Sequence, residues 1–559
     1  MSAPDRRGKR GWILPLAAGI AVALVAGVAL TITHHQAKQV VPPHAAIQAA
    51  LRDRPTEQVL AGSRWDRVTV NSLDDQSEHV TFFAGGRMIE SVSVDRRLIV
   101  SPSADGRTMK VPYGNWIAFE PAMLASLAAL FVLMAGVVPW RRARNLDVAA
   151  CLSFVAPVVL LQHEYLDASV VSALPGIVYL LVRCGLKALG PAREPAPQRP
   201  LLAALTPRLD PVRRIRSLRV LLAVLALVFL MVGVGSPIPV DVIYATMQGA
   251  TRLIHGVLPY GHMPPGVSHG DTYPILTYAL YTPLALFEPV NASWGASVDL
   301  GLAAAVLAAL AAAWALFRVL AGGRTRVARS PEAEEAGLRA ATAWLCFPPL
   351  LITVSTGTTD VALAAMLAAA LMLWRRPAAC SGVLAVAGWF KLAPFALLPV
   401  SLAPLRGRRL ANALATVVGV SVPPVVLLLA LGGLHGPSQM LHGMSFQFSR
   451  GSLQSAWSVF GLETLQPGAQ ACVLGLIAAA AITLWRRPGL ARDRARMAAL
   501  MATILIGLQL VADYWAFLYL VWFVPLVGSS LLADTVPAAE PARAAVPARA
   551  AEAVPALAG

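Results

Sequence analysis

Polar side chains stranded beside long apolar runs mark where this sequence could do chemistry, because a charge at membrane depth is costly to keep. Asp241, Asp271, Asp360 and Asp513 stand at the ends of apolar runs, and Lys391 lies inside one. Arg450, His255, His269 and several tyrosines accompany them. Carboxylates of this kind accept a proton, whereas lysine holds an anion as a point charge and arginine as a planar fork. The bland alternative is that all of these are interfacial caps and anchors; Asp241 and Lys391 fit it least.

The elements that must position these residues are membrane helices. Of 559 residues, 57% are hydrophobic and 14% charged, with a mean hydropathy of +0.63. Soluble domains carry nearer a quarter charged. The apolar residues fall in blocks of roughly 17–25, the length that crosses a hydrocarbon core, and such blocks must be helical to satisfy their backbone. The expected fold is therefore an all-α polytopic membrane protein of roughly 13–14 membrane helices, including one short pair. A small extracytoplasmic β-rich module is expected near the N-terminus, from the alternation at Val80–Phe83 and at Ile89–Val94 after Gly85-Gly86. The net charge of +16 comes from arginines clustered at span ends, which mark cytoplasmic loops, and no nucleic-acid partner is expected. Cys151, Cys184, Cys346, Cys380 and Cys472 form no CxxC pair and read as small buried residues without a disulfide or zinc role.

Charge parity sets the topology. Arg6, Arg7, Lys9 and Arg10 precede an uncleaved first span, so residues 1–33 place the N-terminus inside. The β-rich module occupies 34–116, additional membrane helices 117–190, and a Pro- and Arg-rich cytoplasmic linker 191–217. The main membrane core runs over 218–533, with outer loops at 237–292 and 433–468, and a low-complexity cytoplasmic tail fills 534–559. If Tyr273–Phe287 crossed the membrane, Arg318, Arg324, Arg326 and Arg329 would lie outside. That segment and Asp241–Gly256 are therefore expected as surface helices. Ser381–Leu405 is flanked by arginines at both ends and is too short for two full spans. A pair of short or broken helices with Lys391 and Pro394 near the apex resolves this. Asp241, Asp271, Asp360, Lys391 and Arg450 then share the outer side.

Several runs within 218–533 resemble the polyprenol-phosphate-dependent mannosyltransferases of glycosyltransferase family 87, in the GT-C superfamily of membrane glycosyltransferases. They are PVDVIYATMQGATRLIHGVLPYG, HGDTYPILTYALYTPLALF, STGTTDVALAAML, GWFKLAPFALLPV and FQFSRGSLQSAWSVFGLE. No single run is strong; their order and spacing carry the likeness, and the first 200 residues have no counterpart in it. The resemblance implies transfer of a hexose, mannose, from a polyprenyl-phosphate donor to a lipid or glycan acceptor, with inversion at the anomeric carbon. It implies a multi-pass protein in a bacterial plasma membrane, with both termini cytoplasmic and an extracytoplasmic active site. Asp241 would be the base, with Asp271 the runner-up. Lys391 and Arg450 would hold the donor phosphate, and Tyr244, Tyr260, Tyr273, Asp360 and Trp457 would line the substrates. The partners implied are the donor, the acceptor and the bilayer; neither a cofactor nor a metal is expected. A non-enzymatic lipid transporter or flippase is the alternative, since broken helices and intramembrane charge suit it too.

Overall fold

The computed structural model describes residues 41–533, apart from breaks at 73–76, 86, 103–113, 164, 191–197, 237–238, 265–266, 268–269, 291–296, 323–329, 450–454, 513 and 515–516. The expected first span and the C-terminal tail lie outside the described residues, as do His269, Arg450 and Asp513.

Helices dominate. Six among the described residues are long and apolar enough to cross a membrane: Ala143–Gln162, Leu166–Leu189, Pro211–Gly233, Asp299–Ala321, Gly407–Phe446 and Glu463–Arg486. A seventh span arises if Pro331–Leu345 and Pro348–Ser355, bent by 55°, are taken together. The bend falls where Pro348 and Pro349 cannot supply the next backbone donors. Shorter apolar helices, among them Pro121–Ala135, Asp360–Met372 and Pro377–Phe390, complete the bundle. Along Gly407–Gly432, Leu414, Val418, Val422 and Val426 are exposed, an apolar face that suits lipid rather than water. The chain is a multi-pass, largely helical membrane protein.

Near the N-terminus, β1 (Arg67–Ser72), β2 (Ser77–Ala84), β3 (Arg87–Asp95) and β4 (Val100–Pro102) form an antiparallel sheet in sequential order. Val80, Phe82, Val92 and Val94 are buried in one cluster with Ala46, Ala50 and Leu60, from the helices Pro43–Arg52 and Arg54–Ala61. Those two helices were not anticipated from the alternating pattern of the strands. The first opens on Pro43 and the second carries Pro55 in its first turn, with Asp53 capping the second through the Thr56 amide. Arg67 pairs with Asp167 at 2.6 Å, and Phe83 and Met88 pack on Leu166, so the sheet rests on the tip of a helical hairpin.

Three expectations need correction. Tyr273–Phe287 is not one surface helix but two short turns, Ile275–Ala279 and Thr282–Ala285, with Pro283 at the start of the second. Asp241–Ile254 is one helix, yet Ile243–Thr251 are all buried, because the helix is wedged among neighbours rather than laid on a surface. Cys472 is exposed, whereas the other four cysteines are buried, and all five are free.

Candidate active site

The STGTTD run forms a tight turn between the Pro348–Ser355 and Asp360–Met372 helices. Gly357 takes φ +72°, and a Cβ there would come within 2.7 Å of Leu302 and 2.9 Å of Ile243, so the turn has no room for a larger residue. Its hydroxyls bond locally: Ser355 donates to the Ile352 carbonyl at 2.9 Å and Thr356 to that of Thr353 at 2.8 Å. The backbone amide of Val240 donates to the Thr356 carbonyl at 2.8 Å. That bond fastens Asp241, the first residue of its helix, beside the turn. A carboxylate at a helix N-terminus is favoured there by the helix dipole, and Asp241 is exposed.

Asp360 is buried and engaged. Its Oδ1 accepts from Lys391 Nζ at 2.5 Å and from Trp522 Nε1 at 2.7 Å. Its Oδ2 accepts from the Thr358 hydroxyl, which in turn accepts from the Asp360 amide at 3.1 Å. Lys391 sits at the break between Pro377–Phe390 and the short helical segments Ala393–Leu397 and Leu398–Leu402. Its ammonium is 5.4 Å from the centres of the Tyr273 and Trp522 rings and 5.8 Å from that of Tyr519. At these distances the ring faces attract a cation weakly but from three sides. The break is braced by Thr277, whose hydroxyl donates to the Phe390 carbonyl.

Tyr273 links the two acids. Burial holds its phenol well above the ordinary tyrosine value, and the charges of Tyr519, Asp241 and Asp360 push it further in the same direction. Asp241, Asp360, Lys391, Tyr273, Tyr519 and Trp522 thus form one electrostatic neighbourhood, with an exposed carboxylate at its rim and a buried ion pair in its wall.

The remaining candidates are placed differently. Asp271 accepts from the Gly261 amide at 2.8 Å and closes the loop that follows Tyr260. Gly256 ends the Asp241–Ile254 helix in a left-handed conformation, with the Val257 amide reaching the Arg252 carbonyl. Tyr260 is buried and donates to the Tyr273 carbonyl at 3.0 Å, while Tyr278 donates to the Gly270 carbonyl at 2.6 Å. Tyr244 is buried within its helix. Trp457 donates to the Leu510 carbonyl at 2.8 Å, tying its loop to the Arg494–Leu510 helix. Arg450 lies outside the described residues. Tyr519, Trp522 and Thr358 were not singled out from the sequence. The i, i+3 spacing of Tyr519 and Trp522 in an aromatic-rich run was the available signal. Among the described residues no group of three His, Cys, Asp or Glu side chains gathers to hold a metal ion.

Residues 272–533 match the model of glycosyltransferase family 87. The match contains Tyr273, Asp360, Lys391, Trp457 and Trp522, whereas Asp241, Tyr244, Tyr260 and Asp271 precede it. No curated protein and no solved structure matches the chain.

Proposed function

We propose that the chain, whose residues 272–533 match the model of glycosyltransferase family 87, is a membrane glycosyltransferase that moves mannose from a polyprenyl phosphate to a lipid or glycan acceptor. The reading places this reaction on the extracytoplasmic face. The observation that supports it best is the Asp360–Lys391 pair, buried beside Tyr273, with the exposed Asp241 fastened to the same turn through the Val240–Thr356 bond.

In this reading the acceptor hydroxyl attacks the anomeric carbon from the face opposite the phosphate. The new C–O bond forms as the bond to the phosphate oxygen breaks, so the configuration inverts. Asp241 takes the hydroxyl proton, and polyprenyl phosphate departs with the bonding electrons. A positioned carboxylate serves as base without being strongly basic beforehand. Asp241 is preferred to Asp271 because the Val240–Thr356 bond fastens it beside the turn that carries Asp360, whereas Asp271 closes the loop after Tyr260. Lys391, oriented by Asp360 and joined by Arg450, would hold the donor phosphate and stabilise the charge it gains. Tyr273 would line the sugar; Tyr244 would contribute through the helix that carries Asp241, and Tyr260 and Trp457 through the loops they hold. Two cations suffice for a monophosphate leaving group, so transfer should persist in EDTA.

The test uses membranes carrying the overexpressed chain, supplied with labelled polyprenyl-phosphate mannose and total lipid extract. Label entering a lipid or glycan, in EDTA as in buffer, supports the reading. Donor that crosses vesicles chemically unchanged would favour a flippase instead.

A further inference from the structure

Two residues from the N-terminal region, Gly114 and Asn115, reach the candidate site. They directly precede the short turn Trp116–Phe119, which leads into the Pro121–Ala135 helix. Gly114 is buried against the STGTTD run. A Cβ there would come within 2.6 Å of the Ser355 hydroxyl oxygen and 3.3 Å of both the Ser355 carbonyl carbon and the Thr356 methyl. Its φ of +94° is also one that L side chains rarely adopt. Glycine alone lets the backbone lie this close to the turn. Asn115 reaches the other way. Its Nδ2 donates to the Val232 carbonyl at 3.2 Å, while its Oδ1 accepts from the Ile117 amide at 3.1 Å. Val232 stands in the last turn of the Pro211–Gly233 helix, where carbonyls have no partner further along the helix.

These contacts close a circuit around the approach to Asp241. The chain that leaves the Pro211–Gly233 helix is held at its start, where Asn115 grips the Val232 carbonyl, and at its end, where the Val240 amide donates to the Thr356 carbonyl at 2.8 Å. Gly114 backs the turn that supplies that second hold. Gly233 sits tightly between the same elements, since a Cβ there would come within 2.8 Å of Val306 and 2.9 Å of Val354. The helix after Asn115 is fastened to the same arm, with the Phe131 and Phe347 ring centres 6.0 Å apart.

We propose that Gly114 and Asn115 are positioning residues for sugar transfer, a wedge from the N-terminal region that holds the Asp241 approach against the turn carrying Asp360. The inference rests on the glycosyl-transfer reading. In that reading the base and the group that holds the leaving phosphate act on opposite sides of one anomeric carbon, so their separation must be fixed. A misplacement of about 1 Å costs about a hundredfold in rate. Neither residue touches substrate; each acts through the backbone, Asn115 on the segment before Asp241 and Gly114 on Ser355 and Thr356.

The experiment compares the purified full chain with Asn115→Ser, whose hydroxyl can still accept the Ile117 amide but is too short to reach Val232. Transfer from polyprenyl-phosphate mannose, the melting midpoint and hydrogen exchange of the Val240 amide are measured on the same preparations. In Asn115→Ser, kcat should fall about tenfold while KM for the donor stays within about twofold, the pattern of a contact that matters in the transition state. Exchange at Val240 should quicken, with the melting midpoint near that of wild type. Gly114→Ala should lose more, because it presses on the turn itself. Ile99→Ser, at an exposed position of the N-terminal sheet, should behave as wild type. A wild-type kcat in Asn115→Ser, or a rise in KM with kcat unchanged, would overturn the proposal. Unchanged exchange at Val240 would overturn it whatever the transfer assay shows. Absence of transfer by the wild-type chain would instead sink the reading on which it rests.

Discussion

Lys391→Met is the most informative change to the buried pair. It keeps an unbranched side chain but removes the ammonium, leaving the Asp360 carboxylate, 1% exposed, without its cation. Breaking a buried pair from one side costs about 3–5 kcal/mol. The Trp522 indole at 2.7 Å and the Thr358 hydroxyl still donate to the carboxylate, which places the expected loss near the lower bound, about 3 kcal/mol. Asp360→Asn leaves the opposite orphan, an ammonium among three rings at 5.4–5.8 Å. The three rings together offset roughly 1.5–3 kcal/mol of a cost of about 3–5 kcal/mol, so a loss of about 2 kcal/mol is expected. Asp360→Asn/Lys391→Met removes both charges and should recover at least about 2 kcal/mol relative to the sum of the single changes. Thermal unfolding of the purified chain in detergent, at one fixed scan rate, gives the midpoints. Transfer is measured alongside and should stay absent in the double variant, because no ammonium remains for the donor phosphate. A wild-type midpoint for Lys391→Met, or a double variant as unstable as the sum, would refute the buried-pair reasoning. Recovered transfer in the double variant would assign the pair to folding alone.

Other outcomes follow from neighbouring contacts. Trp522→Phe keeps a ring against Lys391 but removes the donor to Asp360, so initial-rate assays should show transfer falling about tenfold, the scale of one charge-assisted hydrogen bond. Gly249→Ala should lower the melting midpoint, by a cost of about 1–3 kcal/mol, because the new Cβ would come within 2.7 Å of Cε1 in the buried Tyr278 ring; an unchanged midpoint would contradict the packing. Tyr260, Tyr273, Tyr278 and Tyr281 are all held above the ordinary tyrosine value, chiefly by burial. Their phenols ionise in the unfolded chain from about pH 10 but later in the folded one. The folded state thus binds more protons in that window, so stability should be constant below about pH 10 and fall above it, as melting at stepped pH would reveal.

The membrane class was legible in composition and block length, because bilayer thickness constrains helices strongly. The break at Lys391 was legible too, since arginines flank a segment too short for two spans. What the sequence hid was pairing. Asp360 and Lys391 were each conspicuous, but their ion pair joins residues 31 apart, and the Trp522 bond to Asp360 joins residues 162 apart. Such contacts depend on how helices cross, which periodicity does not specify. Tyr273–Phe287 misled for a related reason: aromatic, apolar residues suit an interfacial helix, yet here Tyr278 and Tyr281 are buried and the helix is interrupted. Asp271 is a candidate base by its loop position in the sequence; its bond to the Gly261 amide is visible only in the fold.

The central claim is that Asp241 takes the acceptor proton during sugar transfer. The most direct measurement is single-turnover transfer from labelled polyprenyl-phosphate mannose by purified Asp241→Asn, with donor binding measured in the same preparation. The account predicts that the amide variant, which keeps the shape and loses the basic oxygen, binds donor as wild type does and loses transfer. Full transfer by Asp241→Asn would contradict it.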